Sequence, residues 1–160
     1  MSSAGLIQNK RILFVDDEPD ILDAVEDLLP MCDVVKASTF DEAKKLLDTE
    51  YYDMCILDIM GVKGFDLLKI ATKKEVIAVM LTAHANSPEN AAKSFKEGAA
   101  FYVPKEKMTD IAVYLNDILE SIEAGKSPWS RWWNRIGRYM DEKFGAKWKD
   151  KDIEFWERFQ

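Results

Sequence analysis

Between residue 11 and about residue 123, short β-rich apolar runs alternate with segments of helical periodicity. This is the mark of repeated βα units, and no other feature constrains the chain as strongly. The runs cover residues 12–15, 34–37, 54–57, 76–81 and 100–103. Strands apolar on both faces belong in a parallel sheet covered by helices on both sides and joined by right-handed crossovers. The chain is therefore expected to be an α/β protein.

The segments between the runs carry helix signals. Asp16, Asp17 and Glu18 precede Pro19, which suits the first position of a helix whose positive end favours acidic side chains. Thr39 and Glu42 form a capping box, with Phe40, Ala43, Leu46 and Leu47 on the inward face. A loop from Gly61 to Gly64 leads into a short helix marked by Phe65, Leu67, Leu68 and Ile70. Ser87 and Pro88 open the next helix, which Gly98 ends. The last helix of this part is expected from about Thr109, with Ile111, Tyr114, Leu115 and Ile118 among its apolar residues.

Ligands of such sheets bind beyond the carboxyl ends of the strands. Asp16 and Asp17 follow the first strand, Asp58 the third, Thr82 the fourth and Lys105 the fifth, so polar groups distant in sequence gather on one rim. Singly, each has an ordinary reading as a helix-start residue, a loop carboxylate, a cap or a solvated charge. Jointly they do not. Three converging carboxylates raise one another's pKa unless a cation sits among them. A hard ion such as Mg²⁺ takes one or two carboxylates, keeps several waters and uses phosphate oxygens for the rest of its shell. Lys105 and Thr82 would then supply charge and a hydrogen-bond donor to a phosphoryl group. Asp58 ends a central strand with Asp16 and Asp17 beside it, which makes it the best-placed nucleophile and leaves metal binding to the pair.

Four segments carry a family resemblance: Ile12-Leu-Phe-Val-Asp-Asp-Glu-Pro-Asp20, Cys55-Ile-Leu-Asp-Ile-Met60, Leu81-Thr-Ala-His-Ala85 and Phe101-Tyr-Val-Pro-Lys105. In this order they resemble the receiver domain of bacterial two-component response regulators, over residues 10–124. The resemblance implies a flavodoxin-like, doubly wound five-stranded parallel sheet in the order 2-1-3-4-5, with helices on both faces. It implies that Asp58 accepts a phosphoryl group from a histidine kinase or phosphotransfer protein, and that Mg²⁺ is held by Asp17, by Asp16 through water, by Asp58 and by the backbone carbonyl of Met60. Lys105 would pair with the phosphate, Thr82 would bond a phosphoryl oxygen, and Tyr102 would be the aromatic switch that follows Thr82. Ala83 would leave the entrance open, while Met60 and His84 occupy the positions that flank the phosphate and tune its hydrolysis. Two departures stand out. The loop after Asp58 is about two residues short, and Glu106 follows Lys105 where the family commonly has proline.

Charge divides the chain. Through Gly125 there are 13 Lys and Arg against 23 Asp and Glu, a balance of −10; from Lys126 onward 9 stand against 6, a balance of +3. All five tryptophans, Trp129, Trp132, Trp133, Trp148 and Trp156, lie beyond this boundary. Residues 1–9 are thus read as an N-terminal extension, 10–124 as the receiver domain and 125–160 as an aromatic-rich helical tail. In the tail, Trp129, Trp132, Trp133, Ile136, Met140 and Phe144 recur at helical spacing, with Arg131, Arg135 and Arg138 on another face. A second short helix is expected near residues 150–159, offering Ile153, Phe155, Trp156 and Phe159. The aromatic face can fold back on the receiver or pair with the other tail helix as a structural extension, or it can form a homodimer or dock an effector protein. Nucleic-acid or membrane binding is not expected, because the acidic domain alongside repels both polyanions.

The expected function is a phosphorylation switch that signals by protein contact and turns over no metabolite. One rival is a phosphorylation-independent adaptor whose tail drives assembly. Another is a Mg²⁺-dependent phosphatase with an Asp nucleophile, which generally needs a second acid where this chain has Met60. Cys32 and Cys55 lack metal-ligand spacing and the start of the chain lacks a signal core, so a cytoplasmic location is expected.

Overall fold

The computed structural model describes residues 5–83 and 87–159; His84 and the side chain of Phe159 lie outside them. Five strands alternate with helices: β1 (Arg11–Val15), α1 (Pro19–Leu28), β2 (Asp33–Ala37), α2 (Phe40–Thr49), β3 (Met54–Asp58), α3 (Gly64–Lys73), β4 (Ile77–Thr82), α4 (Pro88–Lys96), β5 (Phe101–Pro104) and α5 (Ile111–Glu123). All strand pairs are parallel, in the order β2-β1-β3-β4-β5. That is the flavodoxin-like order expected.

The local signals act as read. Thr39 accepts a hydrogen bond from the Glu42 amide at 3.2 Å, while the Glu42 carboxylate accepts one from the Ser38 amide at 2.9 Å. Ser87 accepts from the Asn90 amide at the start of α4. Every residue of β3 and β5 is buried, as central and helix-covered strands require. Edge strand β2 buries Ala37 alone. One boundary differs: a 3₁₀ segment, Lys105–Asp110, occupies the start expected for α5, and the Tyr114 hydroxyl holds it by donating to the Lys107 carbonyl at 3.0 Å.

Beyond α5 the tail forms α6 (Trp129–Phe144) and a single α-turn, α7 (Ile153–Trp156), flanked by 3₁₀ turns rather than the one helix expected over residues 150–159. The tail folds back over β5, between α4 and α5. Trp132, Ile136 and Met140, spaced four apart, are fully buried there. Edge strand β5 would otherwise leave a carbonyl unpaired, and an indole satisfies it: Trp132 Nε1 donates to the Tyr102 carbonyl at 2.7 Å, while Trp129 Nε1 donates to the Ala99 carbonyl just before the strand at 3.2 Å. Arg131 and Arg135, themselves still solvent-accessible, pair with the buried Asp117 of α5 at 2.7 and 2.8 Å. Within the chain, the aromatic face is thus folded back on the receiver and packed against the second tail element. Among the described residues, no helix is long and apolar enough to cross a membrane.

Candidate functional site

Strand register assembles the rim. Val15 pairs with Leu57, Asp58 with Leu81 and Thr82 with Pro104, so the residues that end or follow four neighbouring strands come side by side. Lys105 Nζ lies 2.9 Å from Asp16 Oδ2, 3.5 Å from Asp58 Oδ1 and 3.5 Å from Glu18 Oε1. Asp16 is wholly buried, and its other oxygen accepts from the Glu18 amide at 2.9 Å, fixing the turn into α1. Its Oδ2 is close enough to Lys105 for an ion pair but lies outside hydrogen-bond alignment. Thr82 Oγ1 is buried with no hydrogen-bond partner among the described residues.

Burial and like charge act together here. Asp58 is 4% exposed, and its carboxyl is pushed up to about 7 by burial first, then by Asp16 and Asp17, against the pull of Lys105. Asp16 is also raised, chiefly by burial. Burial alone would lower Lys105, yet the Asp16, Asp58 and Glu18 carboxylates outweigh it and hold the ammonium charged.

The loop between β3 and α3 closes tightly over this rim, and two glycines permit it. Gly61 has φ +83°, and a Cβ there would lie 2.4 Å from Asp17 Oδ2. A Cβ on Gly64 would lie 2.2 Å from the Asp58 carbonyl oxygen. The loop leaves a cavity of about 410 Å³ lined by Asp17, Glu18, Asp58, Met60, Gly61, Ala83 and Lys105. Met60 stands at its mouth, 60% exposed.

Residues 12–116 match the family described as the response regulator receiver domain. The chain belongs to that family. It is 31% identical over 101 residues to the two-component response regulator ARR18 of Arabidopsis thaliana, covering 59% of this chain and 16% of that protein. It is 30% identical over 105 residues to the response regulator protein PilR of Pseudomonas aeruginosa, covering 62% of this chain and 23% of that one. The chain thus spans less than a quarter of the length of these two relatives. Among solved structures, a CheY-like receiver domain from Methanospirillum hungatei is 27% identical with a TM-score of 0.66, over 74% of this chain and 99% of that one. A Francisella receiver domain is 28% identical with a TM-score of 0.62, over 69% and 96%.

Receiver domains bind Mg²⁺ at an acidic pocket, and the residues of this receiver fit such an ion. Oxygens of Asp16, Asp17 and Glu18 lie within 4.8 Å of one another, and Asp16 Oδ2 and Thr82 Oγ1 are buried polar atoms without a hydrogen bond among the described residues. A hard cation prefers such an all-oxygen set. From sequence Glu18 reads only as a helix-start residue; its approach to Lys105 requires the fold. The receiver's Tyr102 stands apart from the cavity, fully buried beneath the tail, and its hydroxyl pairs with the Ser87 backbone at 3.3 to 3.4 Å.

Proposed function

We propose that this receiver is a phosphorylation switch of a two-component system, in which Asp58 accepts a phosphoryl group from a histidine kinase or phosphotransfer protein. The observation that carries the reading is Asp58 itself, a nearly buried carboxylate at the end of a central strand, facing a solvent-open cavity and flanked by Lys105 and by the Thr82 hydroxyl, which has no partner among the described residues. An Asp58 oxygen would form the new bond to phosphorus as the bond from phosphorus to the donor's histidine nitrogen breaks, with the imidazole leaving. Thr82 Oγ1 has a proton to give to a phosphoryl oxygen, and Lys105 supplies a full charge beside it. Asp16, Asp17, Asp58 and the Met60 carbonyl would hold Mg²⁺, which when bound neutralises and orients the incoming group.

On this reading the chain forms and hydrolyses its own acyl phosphate in the cytoplasm and turns over no metabolite. The signal passes on by protein contact. The complete set of Asp16, Asp17, Asp58, Thr82 and Lys105 on one rim argues against a phosphate-independent adaptor. Incubating the protein with Mg²⁺ and acetyl phosphate tests the proposal. One acid-stable, base-labile phosphoryl group per chain is expected; no adduct, or rapid multiple turnover of phosphoesters, contradicts it.

A further inference from the structure

Glu106 follows Lys105 directly and points the other way, into the tail. The Tyr139 hydroxyl donates to Glu106 Oε1 at 2.7 Å, and Lys143 Nζ lies 3.5 Å from the same oxygen. Tyr139 and Lys143 stand one turn apart on α6, so one carboxylate oxygen serves two donors of one helix face. Lys107 Nζ adds a cation–π contact, 5.3 Å from the centre of the Tyr139 ring. Three residues before Lys105, the Tyr102 carbonyl accepts the Trp132 indole of the same helix. The segment 102–107 is therefore gripped from two sides: by the rim carboxylates at Lys105, and by α6 at positions 102, 106 and 107.

We propose that α6 senses the chemical state of the rim: a phosphoryl group on Asp58 draws Lys105 off Asp16, breaks the Glu106 latch and loosens residues 126–160. This rests on the reading of Asp58 as phosphoacceptor. Lys105 is now closer to Asp16, at 2.9 Å, than to Asp58, at 3.5 Å. A phosphoryl group adds charge and acceptor oxygens on the Asp58 side and makes that the stronger partner. The backbone at Lys105 carries Glu106 with it, and an O–H···O⁻ bond of 2.7 Å has little slack. The new anion also repels the neighbouring Glu106 carboxylate. Coupling between two sites is reciprocal at equilibrium, so a protein without the latch favours the phosphorylated state.

The chain carries its own reporter, because all five tryptophans lie in the tail. Tryptophan emission and phosphoprotein are measured together in the full chain during reaction with acetyl phosphate and Mg²⁺. The expected result is a red shift that tracks phosphoprotein and is absent in Asp58→Asn. In a Tyr139→Phe, Lys143→Met double variant the shift shrinks by about half or more, and beryllofluoride, an equilibrium mimic of the phosphoryl group on Asp58, binds about fivefold more tightly in the presence of Mg²⁺. Wild-type phosphoprotein with unchanged emission, or a double variant that binds beryllofluoride no more tightly than wild type, overturns the coupling. A wild type that forms no phosphoprotein overturns the phosphoacceptor reading itself, and the coupling with it.

Discussion

The Lys105 ammonium rests 2.9 Å from Oδ2 of Asp16, so the only cation on the described rim occupies a carboxylate that a metal ion would use. Lysine and a divalent cation would compete for the same oxygens, yet on the proposed phosphoacceptor reading both are needed once a phosphoryl group arrives. Lys105→Met therefore splits two properties that usually move together. Calorimetric titration is expected to show Mg²⁺ binding a few-fold more tightly, while phosphoprotein formed from acetyl phosphate falls about tenfold or more.

Asp58 makes stability depend on pH. Its carboxyl is raised to about 7 in the fold, by burial first and by Asp16 and Asp17 next. An acid raised in this way holds its proton more tightly when folded. Its neutral form is tolerated below the unfolded value, and stability is lost as pH rises through about 7. Asp58→Asn removes the charge, so without metal it is expected to stabilise the protein at pH 8 by about 2 kcal/mol, or roughly 4–8 °C in Tm, and hardly at all at pH 4. Thermal melts of both proteins in chelator check this.

Thr82 carries a buried hydroxyl without a partner among the described residues. Replacing it by the isosteric valine removes an unsatisfied group, so Thr82→Val is expected to gain about 1 kcal/mol in urea unfolding. The same change removes a donor to the phosphoryl group and lowers the phosphorylation rate about tenfold or more. Gain of stability with loss of transfer is the signature of a site residue.

Gly61 packs against the Asp17 carboxylate, which would hold Mg²⁺ on the proposed reading. Its φ of +83° and the 2.4 Å approach of a notional Cβ to Asp17 Oδ2 mean that Gly61→Ala must displace Asp17. Mg²⁺ affinity is expected to fall about tenfold. Gly125→Ala is the matched control, because φ there is +72° with nothing within 4 Å, and it costs stability with no change in Mg²⁺ affinity.

The sheet and most of the rim could be read from the chain because parallel strands announce themselves locally. Each apolar run and the polar residue after it are neighbours in sequence, so Asp16, Asp58, Thr82 and Lys105 were legible before any register was known. Contacts set by distance along the chain were not. Glu106 reads as an isolated departure beside Lys105, since its partner Tyr139 lies 33 residues on. The stripe of Trp132, Ile136 and Met140 shows that α6 buries a face without showing which surface receives it. Tyr102, by its place in a strand a half-buried aromatic, is fully covered because that face settles on β5. The final helix shortened because helical propensity over ten residues is weak and the packing of Trp148 and Trp156, with centroids 4.8 Å apart, decides the path.

The most direct test of the account is to find where the phosphoryl group goes. Full-length protein is treated with acetyl phosphate, with and without Mg²⁺, then reduced with borohydride, which converts an acyl phosphate to an alcohol at the modified residue, and mapped by peptide mass spectrometry. The account predicts modification at Asp58 alone, dependent on Mg²⁺ and abolished in Asp58→Asn. Modification at another residue, or an equal yield in chelator, would contradict it.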